Sequence, residues 1–171
     1  MKFKAKKDLS TLIDMQKKMA FLADNQLYVG IPQEHTDRKE GVTNAELLFI
    51  HTNGSPIKNI PPRPVIEPAL EKNKQRIQKR VNLGIKTLLE TGDEEKALGE
   101  LKKAGIDATN LIRRWFKDPE NGWPPNAPST ARRKIRKGST TIWPLIDTQE
   151  LLKSITYVLV NKNKREVGPK K

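Results

Sequence analysis

Four of the ten residues from Ser55 to Pro64 are proline (Pro56, Pro61, Pro62 and Pro64), and no regular helix or central strand passes through such a stretch. Each ring holds φ at about −65°, removes an N–H and pushes the preceding residue into extended geometry. The segment is therefore expected to be an extended, stiff arm, with Ile57 and Ile60 as apolar teeth and little entropy to lose on docking. Its flanks read clearly. Thr43 and Glu46 match a capping box, so a helix is expected over 44–52, stopped by a left-handed cap at Asn53-Gly54. After the arm, a long helix is expected from about Val65 to residue 90, with Pro68 tolerated in its first turn. Its stripe runs through Ile66, Leu70, Ile77, Val81, Ile85, Leu88 and Leu89. Thr91-Gly92 ends it, and Asp93 caps a second helix over 94–117. The core face of that helix is read as Ala97, Leu98, Leu101, Leu111, Ile112, Trp115 and Phe116, with Gly105 as a point of interruption. Two long helices on a short turn make a helical hairpin.

The remaining segments are shorter. Leu9, Leu12, Ile13, Met19 and Leu22 predict an amphipathic helix over 9–23. Gln26 to Ile31 is a strand closed by Pro32, and 33–42 is a polar loop. Residues 118–143 carry Pro119, Pro124, Pro125 and Pro128 and then the cluster Arg132, Arg133, Lys134, Arg136, Lys137. They are expected as an extended, mobile arm, with Ser129 capping a short helix over 130–136 and with Trp123 and Trp143 pinning the ends. Thr148 caps a short helix over 149–154. Residues 155–160 are the clearest strand, 161–164 a turn, 165–167 a short return strand, and the final GPKK a loose tail.

The chain has 171 residues with 33 Lys and Arg against 20 Asp and Glu, a net charge of +13. A length of this order suits one domain, and such a charge attracts polyanions. The basic cluster has three readings: a solvated loop, a phosphate-binding patch, or an arm lying on an acidic groove of another protein. With no cysteine, disulfides and thiolate metal sites are excluded. No run approaches the roughly 20 apolar residues of a membrane span, and the N-terminus has no signal-peptide pattern. A soluble, non-secreted protein with no membrane partner is expected. His35 and His51 are isolated, no phosphate loop or nucleophile elbow is present, and neither a cofactor nor a metal is expected. Carboxylates such as Asp93, Glu94 and Glu95 begin a helix, where the macrodipole accounts for them.

Three blocks carry a resemblance, residues 26–31, 43–73 and 123–160, in the family's order. ELLFIHTNGSPIKNIPPRPVIEPALEKN (46–73) is similar to a segment of the neck and tail-completion proteins of tailed bacteriophages, a group that includes minor tail and virion-morphogenesis proteins. In that group a helix ending in His and a glycine turn lead to an IPxRPFL arm, and here His51, Gly54, Ile60, Pro61, Arg63 and Pro64 occupy those places. WPPNAPSTARRK (123–134) and PLIDTQELLKSITYVL (144–159) resemble the last block, with its PLxDTGxLxxSI pattern. Gln149 stands where that pattern has glycine, and a regular helix start is expected there instead.

The resemblance implies an α+β fold, a small antiparallel β-sheet packed against long helices, assembled as a ring of six or twelve copies without cofactor. Such rings join head to tail and line the DNA passage. Residues 1–171 are read as one domain with an arm at 53–64, a basic loop at 118–143 and a loose tail. The strands at 26–31 and 155–160 are expected in one sheet. Ile57, Ile60, Pro61, Arg63, Pro64, Trp123 and Trp143 are the candidate inter-subunit contacts, with Arg63 as an inter-subunit or arm-anchoring salt bridge. Arg132, Arg133, Lys134, Arg136 and Lys137 are the candidates for DNA or an acidic partner. The expected partners are further copies of the chain, other neck, portal-side or tail-tube proteins, and non-specific genomic DNA. The expected place is the virion, assembled in the host cytoplasm, with no enzymatic activity. The alternative reading is a basic DNA- or RNA-binding accessory protein.

Overall fold

The computed structural model describes residues 2–32, 41–139, 141–162 and 165–167, with side chains from 9 to 162 within those ranges. Chain order is α1 (Lys2–Asp24), β1 (Asn25–Gly30), α2 (Asn44–Asn53), α3 (Ile66–Lys72), α4 (Lys74–Thr91), α5 (Glu94–Trp115), α6 (Pro128–Arg136), α7 (Glu150–Ser154), β2 (Thr156–Asn161) and β3 (Arg165–Val167). The fold is α+β. One antiparallel sheet runs in the order β1-β2-β3, and the two strands expected to pair do so, from Asn25 opposite Asn161 to Gly30 opposite Thr156. Residues 165–167 return as the expected third strand, with Arg165 opposite Val160.

α5 is the spine. Asp93 caps it, its side chain accepting from Lys96 N at 2.9 Å. Its buried residues include Ala97, Leu101, Ala104, Ala108, Leu111, Ile112 and Trp115, so it contacts α4 on one side and the sheet on another. Gly105 does not interrupt it. A Cβ there would lie 2.6 Å from the Tyr157 ring and 3.0 Å from Leu27 Cδ1. The missing side chain lets β1 and β2 settle on the helix, and the fold keeps a glycine whose helix propensity is poor.

The main core joins Leu48, Val65, Ala69, Ile112, Trp115, Phe116, Ile146, Leu151 and Ile155. It sits where α2, α3, the end of α5 and the start of α7 meet. Phe116 packs edge-on against Trp123, with ring centroids 5.8 Å apart and planes at 85°. The Thr43–Glu46 capping box of α2 is present on both sides.

Several expectations are corrected. The long helix from Val65 is two helices, because Asn73 (φ −111°, ψ 14°) leaves helical geometry and its amide donates to the Ala69 carbonyl at 2.9 Å. A short polar side chain competing for local backbone breaks the ladder. The proline arm is not extended throughout. Residues 56–58 form a 3₁₀ turn, Asn59 is left-handed, and Ser55 and Ile60 exchange hydrogen bonds at 2.8 and 2.9 Å, closing a small loop. Residues 61–64 are neither helix nor strand, and Val65 already takes right-handed helical geometry. Asn53 belongs to the helix, and Gly54 takes φ 75°, ψ 179° rather than a left-handed cap. A Cβ on Gly54 would meet Ile60 O at 2.8 Å, so the loop closes over it.

The 118–143 segment is folded onto the body rather than loose. Asp118 caps a 3₁₀ turn, Pro119–Asn121. α6 starts with Pro128 after Ala127, so Ser129 is inside the helix and is not its cap. The helix over 9–23 begins earlier, at Lys2. Gln149 is no regular helix start: it takes φ 64°, ψ 6°. Most of the expected loop 33–42, the end of the 161–164 turn and the GPKK tail lie outside the described residues. Replacing Gly105 with alanine should lower stability by about 1–3 kcal/mol through overpacking, read by urea denaturation; unchanged stability would mean the helix–sheet contact is loose.

Candidate interaction surfaces at the junction of two proline-rich segments

Proline removes donors and leaves acceptors, so a proline-rich backbone presents carbonyls that no ladder can satisfy. Residues 61–65 and 123–128 meet in this condition, and long side-chain donors settle it. The Arg63 guanidinium donates to Pro124 O from Nε at 3.2 Å and from Nη2 at 3.0 Å, and to Pro125 O from Nη2 at 3.1 Å. Its own N–H donates to His51 O at 2.6 Å. The Pro64 carbonyl accepts from two indoles, Trp115 Nε1 at 3.2 Å and Trp123 Nε1 at 3.0 Å. The two segments, some sixty residues apart in sequence, are thereby tied into one junction.

Lys134 performs the same task one layer away. Its Nζ donates to Trp143 O at 2.7 Å and Ile146 O at 2.5 Å, which pins the 143–147 turn beneath α6. Burial pushes its pKa below the usual lysine value, the nearby Asp147 charge works the other way, and the charges of Arg133 and Arg63 lower it further. Arg113 repeats the pattern at the sheet, donating to Ile155 O at 2.7 Å and Lys153 O at 3.1 Å. On the flank of the junction Lys72 pairs with Asp118 and Glu120, both at 2.8 Å, and sits 5.4 Å from the Trp115 ring centroid.

The contact candidates therefore divide. Arg63 is buried and its hydrogen bonds go to carbonyls of its own chain. It anchors the arm, through hydrogen bonds to carbonyls and not through the salt bridge expected of it. Lys134 is buried too and leaves the exposed cluster; the expectation that it meets DNA or an acidic partner is corrected by its two carbonyl contacts. Pro64 and Trp123 are half-buried inside the junction. Ile57, at the tip of the closed loop, is 96% exposed. Ile60 and Pro61 border a groove of about 690 Å³ that also touches His51, Arg133, Asp147 and Gln149. Trp143 is exposed and lines a second, apolar pocket of about 510 Å³ with Trp123, Pro125, Ala131 and Ile142.

Arg132, Arg133, Arg136 and Lys137 are exposed, and among the described residues none has an ion-pair partner. The α6 periodicity was the available signal for separating Lys134 from them. Thr130, Ala131 and Lys134 share one face at helical spacing, while Arg132 and Arg136 share the opposite one. Nothing local marks Arg63 as buried or Arg113 as turned onto backbone, because each reaches across the fold. Among the described residues no three His, Asp or Glu side chains converge as a metal site would require. Arg63 and Lys134 are buried and Arg113 is half-buried, and all three donate to backbone carbonyls.

His51 is half-buried beside Arg63, and its Nδ1 has no partner. Burial first, and the Arg63 charge second, hold its pKa below the ordinary 6.5.

Two outcomes follow. Arg63→Lys keeps the charge but not the fork that spans two carbonyls; it should cost about 2–4 kcal/mol of stability by denaturant titration, and a loss within error of zero contradicts the junction. For His51, the unfolded chain binds the extra proton near pH 6.5 while the folded one resists it. Its contribution is present above that pH and is lost as pH falls through the folded value. Stability measured from pH 7.5 to 5 should therefore fall more steeply for the native chain than for His51→Gln; parallel curves would refute this.

Compared with protein-family models, with curated proteins and with solved structures, the chain finds no match.

Proposed function

We propose that this chain is a structural virion protein that assembles as a ring in the head–tail connector of a tailed bacteriophage, or at the proximal end of the tail. The observation that carries the reading is the junction itself. Two of the sequence blocks that resemble the neck and tail-completion proteins are far apart in the chain, yet Arg63 of the one holds Pro124 and Pro125 of the other. Residues of both patterns (His51, Arg63, Lys134 and Gln149) border one groove. Gln149 adds support of a different kind. The PLxDTGxLxxSI pattern carries glycine there, and this chain adopts φ 64° at that position although glutamine is a poor occupant of it. The backbone geometry at Gln149 is one that a glycine would serve.

On this reading the junction is a rigid platform. It presents Ile57 on a closed loop, the Trp143 pocket, and a helix face bearing Arg132, Arg133, Arg136 and Lys137. These surfaces meet further copies of the chain and the neck, portal-side or tail-tube proteins above and below. Cyclic repetition makes modest contacts strong. Catalysis and cofactors have no part in it.

Four exposed cations with no ion-pair partner among the described residues favour one second reading, a DNA- or RNA-binding accessory protein. A patch of four phosphate contacts predicts a duplex affinity that falls with a log–log salt slope of roughly −3.6. The deciding experiment is mass photometry with negative-stain imaging of the purified protein, alone and with a tail-tube protein. The ring reading predicts a closed particle at six or twelve multiples of the 19.5 kDa chain, in at least one of the two samples, and weak duplex binding. A monomer or dimer in both samples, with tight and steeply salt-dependent duplex binding, would replace it with the second reading.

A further inference from the structure

Residues 9–17 of α1 are exposed without exception, over two and a half turns of continuous helix. They include Leu9, Leu12, Ile13 and Met15, and Met19 beyond them is exposed as well. Among the described side chains, the body grips α1 towards its C-terminal end. Lys18 Nζ donates to Leu89 O at 3.0 Å, the Asn25 side chain donates to Phe21 O at 2.7 Å, and Lys162 pairs with Asp24 at 3.0 Å. Phe21 and Leu22 are half-buried there, and everything N-terminal to them among the described side chains faces outward, apart from the half-buried Lys18. A helical stretch with little tertiary contact is marginal in water, so residues 9–17 call for a packing partner.

The pattern of the face says what kind. Leu9, Leu12, Gln16, Met19 and Ala23 recur at alternating spacings of three and four, the seam of a helix that packs on another helix. Gln16 is its one polar position, of the sort that selects register. Ile13 lies on one flank and Met15 on the other, so at about 100° per residue the exposed apolar arc spans roughly 160°. That is wider than the stripe of about 100° with which a helix faces a single core. Asp14, Lys17 and Lys18 stand outside the arc. At their observed exposures the five large side chains offer roughly 500 Å² of apolar surface, a substantial part of the 800 Å² or so that each partner gives to a standard interface.

We propose that the exposed face of α1 packs against the same face of α1 in a second copy of this chain. A seam of this spacing is complementary to itself, and its flanks leave room for a copy on either side. The inference deepens the ring reading and rests only on its self-association: α1 is the seam between neighbours, while the proline junction is the platform.

The chain has no cysteine, so one introduced thiol reports on one position. The test is cross-linking of the full-length Leu12→Cys protein with a bis-maleimide whose reach matches the 8–10 Å or so between packed helix axes. Asp14→Cys, on the opposite face of α1, is the control, and circular dichroism checks that both variants are folded. Covalent dimer should form about tenfold faster from Leu12→Cys. Equal rates, or no dimer from either, would overturn the proposal. So would cross-linking that needs an added protein or an anionic lipid vesicle. Particle mass, read on the unmodified protein, separates the two claims. A closed ring without Leu12 cross-linking would leave the ring and remove α1 as its seam. Fast Leu12 cross-linking in a particle of two chains would leave α1 pairing and remove the ring.

Discussion

The fold depends on how carbonyl groups of proline-rich backbone are satisfied. Two segments that cannot form a ladder are placed against each other at the end of α5, and a guanidinium, two indoles and an ammonium supply the hydrogen bonds that proline cannot. Arg63 holds Pro124 and Pro125, Trp115 and Trp123 share Pro64, and Lys134 holds Trp143 and Ile146. Charged donors to neutral carbonyls make strong bonds, and an acceptor left buried without one costs about 1–3 kcal/mol. Removing Arg63 would therefore loosen the hold on Pro124 and Pro125, and removing Lys134 the hold of α6 on the 143–147 turn.

This arrangement also explains how a chain of net charge +13 remains compact. Ten of its cations show three arrangements. Arg63, Arg113 and Lys134 are turned inward onto carbonyls. Arg76, Arg80 and Lys72 are matched to Asp107, Asp118 and Glu120 along the α4–α5 hairpin and its end. Arg132, Arg133, Arg136 and Lys137 on and beside α6 are exposed, with no ion-pair partner among the described residues. This last group adds to an outward-facing field on the junction side, beside the apolar pocket at Trp143. An interface that combines local positive charge with apolar anchors suits an acidic partner more than a catalytic role, and it agrees with the ring reading proposed here.

Much of the fold was legible because its signals are local. The capping box at Thr43 and Glu46, the Asp93 cap, the run at 155–160 and its return at 165–167 each depend on a few neighbouring residues, and all are found. What was not legible depends on partners distant in sequence. The proline arm was expected to reach outward because prolines extend a chain, but the Ser55–Ile60 exchange turns its first half back on itself. Arg63 and Lys134 resemble surface cations until the carbonyls they reach are known. Asn73 divides a stripe that hydrophobic spacing shows as continuous, since periodicity does not register a side chain competing for backbone. The apolar residues of α1 were correctly placed on a helix, but spacing alone does not say that the body leaves that face uncovered.

The junction is tested most directly by hydrogen exchange, followed by mass spectrometry, on the native chain and on Arg63→Met. If the cation ties the two segments into one unit, protection should fall together at the amides of Ile60, Arg63, Trp123, Ala131 and Ile146, while α4 and α5 away from the junction keep theirs. Loss confined to the amides around Arg63, with 123–146 as protected as before, would show that the two segments fold independently and would contradict the account.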